Sequence, residues 1–150
     1  MGETDMTTQV LAVVTIVAAG MLVGVEFSVA FFVNAILNAL PGDMGLRGRM
    51  GGAKLLGRVM PFWYIGTTVL GAVWAGLGGG VLVLVGVLLL AVSVVMSIVL
   101  LVPINSRVAK WDETGVPEDW RTQLGAWDRY HYARVAVLIA SLTVLAASVA

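Results

Sequence analysis

Residues 59–104 read VMPFWYIGTTVLGAVWAGLGGGVLVLVGVLLLAVSVVMSIVLLVPI, an apolar run long enough for two membrane crossings. A helix needs about 20 apolar residues to cross the hydrocarbon. At the centre of this run Gly76, Gly78, Gly79 and Gly80 interrupt the pattern, and successive glycines favour a turn over a continued helix. The run therefore divides into a hairpin of two helices, over residues 59–76 and 81–104. Two more apolar runs lie outside it, 10–40 and 132–150. Together they predict an all-α fold, an integral membrane up-down four-helix bundle with helices over residues 8–40, 59–76, 81–104 and 118–150.

Composition agrees. Hydrophobic residues make up 59% of the 150 residues and charged residues 12%, and the mean hydropathy is +0.96, more apolar than one soluble core requires. A cleaved signal peptide is the other reading of the first run. However, residues 1–10 contain no Lys or Arg and carry Glu3 and Asp5, so the basic start is missing and a retained helix is expected. The absence of Cys excludes disulfides, thiolate metal sites and Cys-linked haem. With no internal repeat and short or amphipathic connections, residues 1–150 read as one domain.

Net charge is zero, but its distribution is uneven. The basic residues Arg47, Arg49, Lys54, Arg58, Arg107, Lys110, Arg121, Arg129 and Arg134 all lie in or beside segments 41–58 and 105–134. In a four-pass chain these segments share one side. An excess of Lys and Arg in short loops marks the cytoplasmic side, so the expectation is a cell (plasma) membrane protein with basic loops cytoplasmic and both termini on the non-cytoplasmic side. The Arg47–Arg58 cluster reads as a positive-inside loop facing anionic headgroups of the lipid bilayer, not as a nucleic-acid patch.

Against this apolar background Glu26 is the most informative residue. A carboxylate inside a membrane helix costs about 3 kcal/mol on insertion scales and normally faces a partner or a wet cavity; its ordinary structural role would be to hold helices in register. At 1.5 Å per residue, Glu26 lies roughly 27 Å from the outer boundary, His131 roughly 28 Å and Arg134 roughly 24 Å. The three share one depth near the basic end, where residues 103–107 and Asn34 also arrive. Glu26, Asn34, Asn105, Arg107, His131 and Arg134 thus form a convergent polar set, with Phe27, Phe31, Trp63, Tyr64, Trp111, Trp127 and Tyr130 around it. Taken singly these aromatics suit an interfacial belt; together they suit an aromatic-walled pocket. Along 118–134, Trp120, Leu124, Trp127, His131 and Arg134 stay near one helical face.

His131 is the only His, and with Glu26 it offers too few ligands for iron, zinc or copper, so no metal site is expected. The set is better suited to moving a proton. His131 serves as a base, Glu26 orients it and Arg134 stabilises a developing oxyanion, with snorkelling to the headgroups as the alternative role for Arg134. Asn105, Arg107, Asn34, Trp127, Trp111 and Phe31 complete the expected substrate-binding surround.

The segment Pro103-Ile104-Asn105-Ser106-Arg107, then Trp111, Trp120, Trp127, His131 and Arg134, follows a Gly-rich first helix with Gly20, Gly24, Phe27 and Phe31. This pattern resembles the anthrone oxygenase family of small four-helix membrane proteins, over nearly the whole chain. Its most specific parts are Pro-Ile-Asn-x-Arg and Trp-x-x-x-His-x-x-Arg. The resemblance implies oxidation of polyphenolic anthrones to anthraquinones by O2, with no metal or flavin cofactor. On the matching positions it implies His131 as base, with Arg134 and Asn105 holding the anion. The ligand would be a lipophilic aromatic small molecule entering from the bilayer. Two other classes compete: a non-catalytic membrane accessory or binding subunit, and a proton-coupled transporter, the latter weakened by the lack of broken helices or an inverted repeat. Gly66, Gly71, Ala75 and Gly78 suit helix packing within a protomer or in a homo-oligomer.

Overall fold

The structure, a computed structural model, describes residues 3–150. Met1 and Gly2, and the side chains of residues 3–5, lie outside the described residues, and with them the Glu3 and Asp5 charges of the N-terminal reading. Helix is the regular secondary structure throughout the described residues. Four helices are long and apolar enough to cross a membrane: α1 (Met6–Asn38), α2 (Met44–Gly76), α3 (Gly80–Val108) and α4 (Trp120–Ala147). The glycine cluster turns the chain between α2 and α3, with Gly78 at φ +94° and Gly80 at φ +82°, angles that side-chain-bearing residues rarely adopt.

Neighbouring helices run antiparallel. Along α1 and α4, Glu26 pairs with Arg134, Ala30 with Tyr132 and Asn34 with Asp128. Between α1 and α2, Trp63 donates to the Ala18 carbonyl. In α2 and α3, Asn105 reaches the carbonyl of Ala53, while Gly71 lies against Val87. Ser141 of α4 donates to Gly86 of α3. Each helix therefore touches its two neighbours in a closed ring.

Lipid offers helices little hydrophobic reason to associate, so close van der Waals packing at small residues takes over. A Cβ at Gly86 would sit 2.6 Å from Leu145, and one at Gly71 would sit 2.8 Å from Val87. Both glycines let backbones approach where Leu22, Leu90, Leu138 and Leu145 fill the centre. Gly66 has open space around it. Only 28–33% of each span's most apolar window is buried, which leaves side chains such as Phe62, Val81 and Ile36 facing outward. That exterior matches hydrocarbon, not water.

Helix boundaries differ from the sequence expectation at the basic end. The first helix ends at Asn38 and the fourth begins at Trp120, each within two residues of expectation. By contrast α2 begins at Met44, far before residue 59, and α3 continues to Val108 instead of stopping near 104. Gly45, Gly48, Gly51, Gly52 and Gly57 argue for a loop by propensity. Three of them have a packing role instead: a Cβ at Gly45 would clash with the Leu37 carbonyl, one at Gly48 with the Leu37 side chain, and one at Gly57 with the Asn105 amide. At 33 residues α2 is about 50 Å long, so its basic first turns extend past the hydrocarbon. A single helical turn, Trp111–Thr114, interrupts the expected loop.

Three irregularities matter for the site. α1 widens into a π turn at Val29–Val33 and α3 into another at Ser97–Leu101, while α2 carries Pro61 inside the helix. Pro103 follows the second π turn. Lacking an N–H, it cannot bond the carbonyl four residues back, and the helix passes it without stopping by widening just before it.

Candidate functional site

Four members of the polar set, Glu26, Asn105, His131 and Arg134, border one cavity at the level of the π turns. Glu26, His131 and Arg134 are buried, at 4%, 1% and 7% exposure. Arg134 Nη2 donates to Glu26 Oε2 at 2.6 Å, and Arg134 Nη1 donates to Ser97 Oγ at 2.8 Å. The Glu26 carbonyl accepts from His131 Nε2 at 3.1 Å. Since a carbonyl can only accept, the ring proton sits on Nε2. His131 Nδ1 then accepts from Arg134 Nη2 at 3.0 Å, with Glu26 Oε2 3.3 Å away, which makes the ring a neutral imidazole.

Aromatic rings fix the cluster. Trp127 stacks on His131, centroids 4.5 Å apart and planes 20° from parallel. The Arg134 guanidinium lies over Tyr64, 5.1 Å from the ring centroid. The Tyr64 hydroxyl is buried near Glu26 and Ser97, yet among the described residues neither it nor Arg134 Nε makes a hydrogen bond of normal geometry. Two buried donors beside the ion pair thus make no well-formed hydrogen bond, which is unusual in a folded core.

These groups border a cavity of about 230 Å³ between α1, α2, α3 and α4. Glu26, Tyr64, Ser97, Asn105, Trp127, His131 and Arg134 contribute to its wall, and aliphatic side chains such as Met60, Val94 and Leu101 supply most of the rest. This wall differs from the aromatic-walled pocket expected from sequence: of the seven aromatics, Tyr64 and Trp127 line it. Helical geometry explains the shortfall, because the other rings project from different faces of their helices.

Other expected residues fall elsewhere. Phe31 is half exposed on the outer surface, packed against Phe27 and Tyr132. Trp111 is buried in a separate cluster with Ala53, Ile104, Val108 and Leu124. Arg107 is exposed and does not border the cavity. Asn34 joins a second polar cluster, where its Nδ2 donates to Asp128 Oδ1 at 3.0 Å and Arg49 donates to both Asp128 oxygens. That cluster borders a smaller cavity of about 70 Å³ nearer the basic end. Asn105 and Trp127 belong to both cavities.

Sequence reasoning missed Tyr64 as an individual site residue, and missed Ser97, Arg49 and Asp128. A depth ruler extended to α2 and α3 would have reached Tyr64 and Ser97, which interrupt apolar runs at the level of Glu26. Among the described residues no three His, Asp or Glu side chains converge as metal ligands would.

No curated protein and no solved structure matches the chain. A family model described as anthrone oxygenase matches residues 49–144, a span that holds every residue of the cluster except Glu26. On that match over well more than half its length, the chain belongs to the anthrone oxygenase family.

Proposed function

We propose that this protein is a small membrane oxygenase that converts a lipophilic hydroxyanthrone to its anthraquinone with O2, without a metal or flavin. The observation that carries the reading is the neutral His131, held by the Glu26 carbonyl beside the Glu26–Arg134 ion pair, in the wall of a mostly apolar cavity. In net terms the reaction turns a CH2 group and O2 into C=O and water. The anthrone CH2 lies between two aromatic rings and opposite a ketone, so losing a proton leaves an electron-rich anion whose charge rests on oxygen.

His131 Nδ1 takes that proton. The new N–H then faces Glu26 Oε2, 3.3 Å away in the resting site, while Arg134 turns from Glu26 to the substrate oxyanion. One ion pair becomes two without any change in the charge of the protein and substrate together. Prepositioned charges of this kind contribute most where water is excluded. The anion passes an electron to O2, the radicals combine to a C–O bond, and His131 returns its proton to the peroxide. Loss of the second C–H proton with cleavage of O–O releases water and leaves the quinone.

The same reading sets the protein in the cell membrane with its basic end cytoplasmic, following the charge bias of the loops. The test is aerobic turnover of a hydroxyanthrone by the purified protein in nanodiscs, following quinone absorbance and O2 uptake together. One O2 consumed per quinone, above the spontaneous rate, is the expected result; a rate no higher than that of empty nanodiscs contradicts the reading.

A further inference from the structure

The cavity has a mouth, and its position says how a ligand arrives. Six residues that line it are exposed: Gly57, Pro61 and Ile65 on α2, and Ile98, Val102 and Ser106 on α3. Each set is spaced by four, so each forms a stripe along one helix face. The stripes oppose each other across the antiparallel pair, because Gly57 approaches Asn105 near the basic end. Both helices are irregular at this gap, α2 at Pro61 and α3 at the π turn Ser97–Leu101. Such turns recur at functional sites, where they move a helix face aside.

The opposite way in, from the basic end, is walled off. Asn105 is tied to the Ala53 carbonyl at 3.0 Å. Trp127 is held between His131 on one side and the Arg49 guanidinium on the other, 5.5 Å from its ring. These two side chains stand between the main cavity and the smaller one.

We propose that the site is loaded sideways from the bilayer, through the slot between α2 and α3, by a flat lipophilic molecule whose oxygen acceptor enters first. This rests on the functional reading above. Ile65 and Ile98 face outward at 57% and 62% exposure, so the mouth is apolar where the surrounding solvent is lipid. The inner end holds two buried donors, Tyr64 Oη and Arg134 Nε, that make no hydrogen bond of normal geometry among the described residues. A ligand matched to both ends is apolar along its length and carries a ketone or phenolate oxygen at its leading edge.

The chain has no Cys, so an introduced pair is unique. An Ile65→Cys/Ile98→Cys variant bridged by a bis-methanethiosulfonate linker closes the mouth, and reductant reopens it. The probe is anthraquinone in nanodiscs, with its binding followed by quenching of tryptophan fluorescence. The linker is expected to slow binding and release by about tenfold or more, with Kd nearly unchanged, and reductant is expected to restore both rates. Val102→Trp, which narrows the mouth without a cross-link, is expected to slow both rates in the same sense. Unchanged rates in the bridged protein and in Val102→Trp, with binding intact, overturn the lateral route and leave the functional reading standing. Failure of anthraquinone to bind the unmodified protein overturns both.

Discussion

Two buried ion pairs lie a few turns apart in this bundle, and they are built differently. Glu26–Arg134 has both partners almost fully buried, with side chains 5% and 8% exposed. In Arg49–Asp128, Arg49 is 6% exposed but Asp128 is 24% exposed, and the pair lies close to the basic end. Asn34 also donates to this carboxylate. The outer pair therefore fastens α1, α2 and α4 where water can share the charge. The inner pair has no such access, and it borders the apolar cavity. Desolvating two charges is costly enough that a purely structural tie there would be replaceable by apolar residues at no loss. Under the proposed function the pair serves chemistry instead, beside a neutral His and two buried donors that make no well-formed hydrogen bond.

The largest effect should come from breaking the inner pair. Glu26→Gln leaves Arg134 charged and uncompensated in an apolar site, and thermal unfolding in detergent is expected to show a loss of about 3–5 kcal/mol. The double variant Glu26→Leu/Arg134→Met should recover most of that stability while remaining inactive. Recovered activity in the double variant would break the contrast between the two pairs. Asp128→Asn, in the outer pair, should cost about 1–3 kcal/mol, because water reaches the carboxylate position and the Asn amide retains one acceptor for Arg49. Turnover in Asp128→Asn should fall only as far as Trp127 loosens against His131, an effect read as a raised KM more than a lowered kcat.

The smallest effect belongs to the exposed pairs. Lys54 holds the Asp112 carboxyl below its ordinary 3.8, and Arg47 does the same for Asp43. A lowered carboxylate stabilises the fold above its unfolded pKa, and the contribution is lost as pH falls through the folded value. Both groups are exposed and screened by salt. Asp112→Asn is therefore expected to leave the unfolding midpoint within error at neutral pH, and to flatten the profile slightly below about pH 4. A shift at neutral pH as large as that of Asp128→Asn would remove the distinction between surface and buried pairs.

How much of this was legible in the sequence follows from the same contrast. The four spans and the glycine turn announce themselves through hydropathy, and the register of Glu26 with His131 and Arg134 follows from counting rise per residue along two helices. The extension of α2 to Met44 was hidden because Gly45 and Gly48 look like helix breakers; their function is to admit Leu37, which is a tertiary fact. The π turns at Val29–Val33 and Ser97–Leu101 leave no mark in apolar runs, since widening a turn changes hydrogen bonding and not composition. Tyr64 and Ser97 interrupt their apolar runs at the depth of Glu26, but nothing in those runs says that both face Arg134. Phe31 and Trp111 were expected near the site by depth alone, and depth says nothing about which way a helix face turns.

The central claim is that the inner cluster is a reaction site and not a structural knot, and His131 tests it most directly. His131→Gln retains a side-chain amide able to donate to the Glu26 carbonyl but has no basic nitrogen, so the bundle should unfold within about 1 kcal/mol of the unmodified protein. Under the account, its kcat for hydroxyanthrone oxidation in nanodiscs drops by about 10²–10⁴-fold while anthraquinone still binds. A folded His131→Gln protein that oxidises the hydroxyanthrone at the unmodified rate would contradict it.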